Sequence, residues 1–177
     1  MTVAHTRRLW VPVLVALLVT GLLGVAGGGG AVAVEPRLTV ASIMIPAAAF
    51  IPTSGSWSYS QTDSYLTANN TADFTAPLTF PVQEVTIRRI TLYAYENTAD
   101  GSVCVRMFRA SPRTASSLTL GSACTVNSTT NPQAATTTAI SPRRVNTAVQ
   151  GPDLWVSIPG SQFSTVRFYG VKVTYSY

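Results

Sequence analysis

The chain has 177 residues, with 12 Lys and Arg, 7 Asp and Glu, one His, two Cys and only 11% charged positions. An average soluble domain carries roughly 25% charged residues. Here Thr, Ser and Ala take their place, which suits exposed strand faces better than helices. The formal charge of +5 falls to about +3 without Arg7 and Arg8, and its densest points are the pairs Arg88-Arg89 and Arg143-Arg144. That excludes a nucleic-acid footprint, which needs a clustered basic patch.

Residues 1–33 read as a signal peptide. Arg7 and Arg8 form the basic start, Leu9 to Val25 is an almost unbroken apolar run, and Ala31-Val32-Ala33 is a cleavage motif with cutting before Val34. Gly27 to Gly30 ends any helix just ahead of it. The apolar run is near the lower limit of a membrane span, about 17–25 residues, so a retained anchor helix is the alternative. Thr6-Arg7-Arg8-Leu9-Trp10 weakly matches a twin-arginine signal. On every reading the rest of the chain is secreted or extracytoplasmic, and it meets a membrane only through this N-terminal segment.

Residues 34–60 read as an N-terminal strand, Leu38 to Ile45, followed by a Pro/Gly/Ser-rich stretch that packs on the domain. Pro46 to Trp57 is too rich in Pro and Gly for a helix. The sandwich domain proper is expected over 61–177. Its strand candidates are Ser64–Ala68, Phe74–Phe80, Thr86–Glu96, Val103–Arg109, Leu118–Val126, Ala134–Ile140, Leu154–Ile158 and Val166–Tyr175. Phase changes at Arg88-Arg89 and near Gly170 predict β-bulges. Asn97 to Gly101 reads as a hairpin turn rather than a calcium loop, because alternating acidic ligands are missing. About nine short strands at 8–15-residue spacing, with no sustained helical period, indicate an all-β antiparallel sandwich or a barrel.

Cys104 and Cys124 flank the turn-like Ser111-Pro112-Arg113-Thr114. Outside the cytoplasm an even cysteine count favours a disulfide. The only histidine, His5, lies in the signal, so no His–Cys zinc site forms and no metal or cofactor is expected. Pairing the cysteines across a hairpin sets Val105 opposite Ala123, Phe108 opposite Leu120 and Arg109 opposite Thr119.

The segment order resembles a group of bacterial exported proteins of unassigned function. The resemblance is carried by Ser42 to Pro52, Tyr65-Leu66-Thr67, Asp73 to Pro81, Thr91 to Tyr95 and Val166 to Tyr175, and spans most of 38–177. It implies a single jelly-roll sandwich and transfers no catalytic residue.

Without a histidine beyond residue 5 or a free-cysteine nucleophile, Ser–His–Asp and Cys–His chemistry is excluded. Paired carboxylates for glycoside hydrolysis would have to come from Glu35, Asp63, Asp73, Glu84, Glu96, Asp100 and Asp153, most of which sit in turn-like settings. Trp57, Tyr59, Tyr65 and Trp155 are the candidate ligand-binding residues. Aromatic faces on a sandwich stack on sugar rings while Asp, Asn or Arg supply orienting hydrogen bonds. Core filling is the competing account of both tryptophans.

Three functions follow, in this order of expectation. The first is a non-catalytic structural or protein-association role at the cell surface or envelope, with itself as homo-oligomer or with envelope proteins as partners. The second is a carbohydrate-binding or adhesion module recognising polysaccharide through exposed aromatics. The third is a two-carboxylate hydrolase.

Overall fold

The computed structural model describes residues 38–98, 101–126, 128–160 and 165–177. The cleavage reading at Ala31, Ala33 and Val34 lies outside them. No helix among the described residues is long and apolar enough to cross a membrane.

Twelve strands and one 3-10 turn, Ala47–Ala49, make up the described chain. The strands are β1 Val40–Pro46, β2 Ile51–Ser54, β3 Trp57–Ser60, β4 Tyr65–Ala68, β5 Ala72–Pro77, β6 Glu84–Glu96, β7 Cys104–Ser111, β8 Ser116–Cys124, β9 Gln133–Thr137, β10 Arg144–Asn146, β11 Gly151–Ile158 and β12 Val166–Ser176. Three of these, β2, β3 and β10, go beyond the nine expected. Both β2 and β3 arise in the Pro/Gly/Ser-rich stretch and both are edge strands, β2 in a five-stranded sheet and β3 in a seven-stranded one. At an edge Pro52 removes no ladder bond that the sheet needs. Gly55 turns the chain from one sheet to the other at φ +83, where a Cβ would lie 2.4 Å from the Thr71 carbonyl. Residues 40–60 thus supply strands to both sheets.

The five-stranded sheet runs β2-β5-β11-β7-β8, and the seven-stranded sheet runs β10-β6-β12-β4-β3, with β1 also on β12 and β9 also on β6. Every pairing is antiparallel. The pairs β1–β12, β5–β11, β6–β9 and β7–β8 nest as one long hairpin folded over on itself, and β6–β12 and β7–β11 close the two sheets. This is jelly-roll connectivity: of the sandwich and the barrel that the strand pattern allows it is the sandwich, of the type the resemblance implies. It also corrects one local expectation. β6 and β7 lie in different sheets, so these two strands do not form the hairpin that the reading of Asn97 to Gly101 implies; residues 99 and 100 themselves lie outside the described residues.

The sandwich holds together because each long strand alternates. Val85, Ile87, Ile90, Leu92 and Ala94 of β6 face Phe74, Val105, Met107, Leu154, Val156 and Ile158 across the core, together with Phe168, Val171 and Val173 of β12. Complete burial of each large side chain contributes about 1.5–3 kcal/mol. Besides a register shift at the β2 edge, three bulges in the longer strands keep this alternation in phase. In β6, Arg88 is the extra residue between Thr174↔Arg89 and Tyr175↔Ile87. In β12, Tyr169 is extra between Phe168↔Ala94 and Gly170↔Tyr93. Both were predicted from the sequence pattern.

The third bulge was not. Cys104 and Cys124 are bonded and directly opposed, with Cα atoms 4.1 Å apart, and Val105 pairs with Ala123 as expected. Beyond Met107↔Gly121 the register shifts, so Phe108 faces Thr119 and Arg109 faces Leu118. Unbroken pairing would have turned Leu120 outward beside Phe108. The bulge turns it into the core instead, where it is 3% exposed.

Candidate functional site

The four aromatic candidates do not converge. Tyr59 packs against the core from β3. Trp57, on the same face of that strand, is 43% exposed and meets Phe74 edge-on at 6.2 Å, so it closes one open end of the sandwich. Tyr65 lies on the outer face of the seven-stranded sheet, where the Arg167 guanidinium stands 5.0 Å over its ring. Trp155 lies on the outer face of the five-stranded sheet.

Around Trp155 the ladder assembles what the sequence keeps apart. Antiparallel pairing sets Trp155 opposite Arg106 and Asp153 opposite Phe108. Strand alternation brings all four to the outer face, because Leu154 and Val156, and Val105 and Met107, point inward. The result is a cleft of about 280 Å³ lined by Arg106, Phe108, Ala110, Ser117, Asp153 and Trp155. Its walls are an indole and a phenyl ring, and its polar groups are one guanidinium, one carboxylate and one hydroxyl. The Arg106 guanidinium lies 5.1 Å from the Trp155 ring centre, an attraction worth roughly 0.5–1 kcal/mol at an exposed site. Arg106 and Asp153 sit diagonally across the ladder and form no ion pair. Both keep hydrogen-bonding capacity for a ligand. Partial burial raises the Asp153 carboxyl above its ordinary 3.8, and a backbone hydrogen bond opposes that shift.

Two of these residues, Arg106 and Phe108, escaped the sequence reading, and Asp153 entered it only as one of seven candidate carboxylates. Their period-2 spacing places them on a strand face, but only the β7–β11 register brings them to Trp155. The Asp-x-Trp spacing of Asp153 and Trp155 was the one local signal.

The other described carboxylates are engaged elsewhere. Asp63 accepts a hydrogen bond from Ser60 Oγ at 3.3 Å within a turn, and Asp73 accepts one from Ser54 Oγ at 3.0 Å. Glu84 pairs with Arg144 at 3.0 Å. Glu96 is 2% exposed and accepts from the Thr125 hydroxyl and from the Val103 amide at 3.3 Å, which ties the end of β6 to the entry of β7. Asp73 pairs through Ser157, four positions along β11 from Asp153. At ~3.3 Å per residue that is about 13 Å, beyond the ~5–10 Å of a glycosidase pair. The cleft therefore offers a single carboxylate among the described residues, and none of these residues form a metal-holding cluster of three His, Cys, Asp or Glu.

No family model matches this chain, and no curated protein does. Solved structures do match. One is the CBM36-1 domain of a multidomain xylanase from the hindgut metagenome of Trinervitermes trinervoides, at 11% identity and TM-score 0.47, covering 75% of this chain and 96% of that one. Another is the carbohydrate-binding module CBM36 in complex with calcium and xylotriose, at 11% identity and TM-score 0.43, covering 73% and 97%. Neither match assigns a residue of this chain.

Proposed function

We propose that this chain is a non-catalytic polysaccharide-binding module that acts outside the cytoplasm and takes sugar rings in the Trp155 cleft. One observation carries the reading. Two aromatic walls, Trp155 and Phe108, flank a guanidinium and a carboxylate that do not pair with each other, on an open strand face. Stacking on the apolar face of a pyranose would come from the rings, and orientation from hydrogen bonds to Asp153 and Arg106. The geometry favours this second reading over a purely structural role, because a scaffold surface has no use for a partly buried acid beside a half-buried indole on an open strand face. The cross-strand disulfide fits an oxidising compartment, in keeping with residues 1–33 as an export signal.

The test is co-sedimentation of the full chain, in non-ionic detergent, with cellulose, chitin and whole cell-wall preparations, with tryptophan fluorescence read alongside. Saturable binding that weakens about tenfold in Trp155→Ala and persists in Trp57→Ala is the expected result. Binding to none of the matrices would return the structural role to first place.

A further inference from the structure

The opposite face of the sandwich carries a different constellation. On β12, Arg167 stands directly opposite Tyr95 of β6, and Tyr65 of β4 flanks it on the other side. Its guanidinium carbon lies 5.0 Å from the Tyr65 ring centre and 5.4 Å from that of Tyr95. Tyr169 meets Tyr65 edge-on at 6.1 Å. The Arg167 Nε is buried and has no hydrogen-bond partner, and no ion pair reaches the side chain. Rings alone hold this cation.

The bulge next to it shapes the surface. Gly170 adopts φ +148, and a Cβ there would lie 2.5 Å from the Ile45 carbonyl oxygen. Without a side chain at Gly170, the sheet dips into an apolar groove of about 520 Å³ lined by Met44, Tyr93, Pro132, Gln133 and Tyr169. Beyond the groove the same face presents Lys172 opposite Thr91, and Arg89 opposite Thr174. Arg88, the bulged residue beside it, donates from Nε to Ser176 Oγ at 2.9 Å. Of the described carboxylates, the strand pairing puts only Glu84 on this face, and Arg144 neutralises it. The order along β12 is thus tyrosines around a cation, an apolar dip, and a second group of cations.

We propose that this outer face is a second binding site, for a carboxylate-bearing polysaccharide of the polyuronate class. Arg167 takes one carboxylate, Tyr65, Tyr95 and Tyr169 stack on the rings around it, and Lys172 and Arg89 meet a later carboxylate along the polymer. A stacked guanidinium keeps its outer N–H edge free, and that planar fork matches a carboxylate in two parallel hydrogen bonds. The three cations along this face, Arg167, Lys172 and Arg89, are spread along the β6–β12 ladder and do not make the clustered basic patch that a nucleic acid strand needs. The proposal does not depend on the Trp155 cleft.

Affinity electrophoresis of the full chain through gels containing polygalacturonate tests it, with fully methyl-esterified polygalacturonate and oligo(dT) as parallel probes. Retardation by the free acid at least tenfold stronger than by the ester is expected. Arg167→Ala should abolish most of it, Trp155→Ala should leave it unchanged, and Arg167→Lys should weaken it about fivefold although the charge is kept. Arg167→Lys also serves if Arg167→Ala does not fold. Equal retardation by acid and ester, stronger retardation by oligo(dT), undiminished retardation of Arg167→Lys, or its loss in Trp155→Ala would each overturn the proposal.

Discussion

The two outer faces of this sandwich use the same ingredients, arginine against aromatic rings on paired strands, and differ in one charge. Beside Trp155 the guanidinium of Arg106 shares its cleft with the Asp153 carboxylate. Beside Tyr65 and Tyr95 the guanidinium of Arg167 has no acid neighbour in ion-pair reach. The first arrangement presents both a donor and an acceptor, which suits hydroxyl-rich neutral sugars. The second presents donors and positive charge only, which suits an anionic chain. Position in the jelly roll also separates them. The Trp155 cleft lies where β11 meets β7, next to the only disulfide, whereas the Arg167 platform lies on the long β6–β12 ladder, shaped by a glycine bulge.

The largest expected effect comes from the covalent support of one face alone. The disulfide closes a loop of 20 residues, and its removal in the double variant Cys104→Ser, Cys124→Ser should cost about 3 kcal/mol on the loop-entropy account. Urea unfolding measures it. Because Arg106 and Phe108 sit on the bonded strand β7, matrix binding at the Trp155 cleft should weaken while polygalacturonate binding stays. Parallel loss at both faces would show that they are not independently supported.

Gly170→Ala attacks the other face. The substitution forces a side chain into the positive-φ conformation and against the Ile45 carbonyl at 2.5 Å. It should cost about 2 kcal/mol, within the range of strained single substitutions, and the added methyl should fill part of the groove. Here polygalacturonate retardation should fall and matrix binding should persist, the mirror image of the disulfide variant. A stability change below 0.5 kcal/mol by urea unfolding, a threshold set by ordinary surface substitutions at ~0.5 kcal/mol, would mean that the bulge relaxes freely.

Trp155→Ala paired with Tyr65→Ala sharpens the comparison at constant stability, since both residues lie on outer faces. Each should lose about tenfold in affinity, roughly 1.4 kcal/mol, for its own polymer and nothing for the other. Crossed effects would merge the two faces into one extended site.

How far the sequence reached follows the same division. Hydrophobic alternation in β6, β11 and β12 exposed the sandwich, and breaks in that alternation exposed the bulges at Arg88 and near Gly170, because a period-2 strand shows any inserted residue as a phase change. Edge strands β2, β3 and β10 stayed hidden, since Pro52, Ser58 and Asn146 carry little apolar pattern and these strands gain their order from pairing. The bulge at Leu120 was missed for a related reason. Cysteine opposition fixes the register only near the bond, and the Gly121 side of the ladder gives no signal that Leu120 turns inward. Single residues of each site were legible, Trp155 and Tyr65 among them. Their partners Arg106, Phe108, Tyr95 and Arg167 come from strands remote in sequence, and no local pattern pairs them. Tyr59 illustrates the converse: an aromatic next to two candidates in sequence whose strand phase sends it to the core.

The smallest effect concerns the charge that distinguishes the faces. Partial burial raises the Asp153 carboxyl above 3.8 in the folded chain. The fold therefore favours the protonated form, and the group's favourable contribution is complete below pH 3.8, then lost as pH rises through the folded value. Asp153→Asn keeps the shape and removes the titration. From pH 3 to pH 7 the wild-type chain should accordingly lose stability relative to Asp153→Asn, with the gap opening above pH 3.8, as followed by urea unfolding at each pH. A gap that stays flat would mean that water solvates Asp153 fully, and the cleft would then lack the desolvation that strengthens a hydrogen bond to sugar. If the gap opens and Asp153→Asn also binds the matrix more weakly, the chain carries an acid that lowers its own stability in exchange for recognition. That pattern marks binding sites rather than scaffolding, and the Arg167 face, which holds no such acid, should show no counterpart to it.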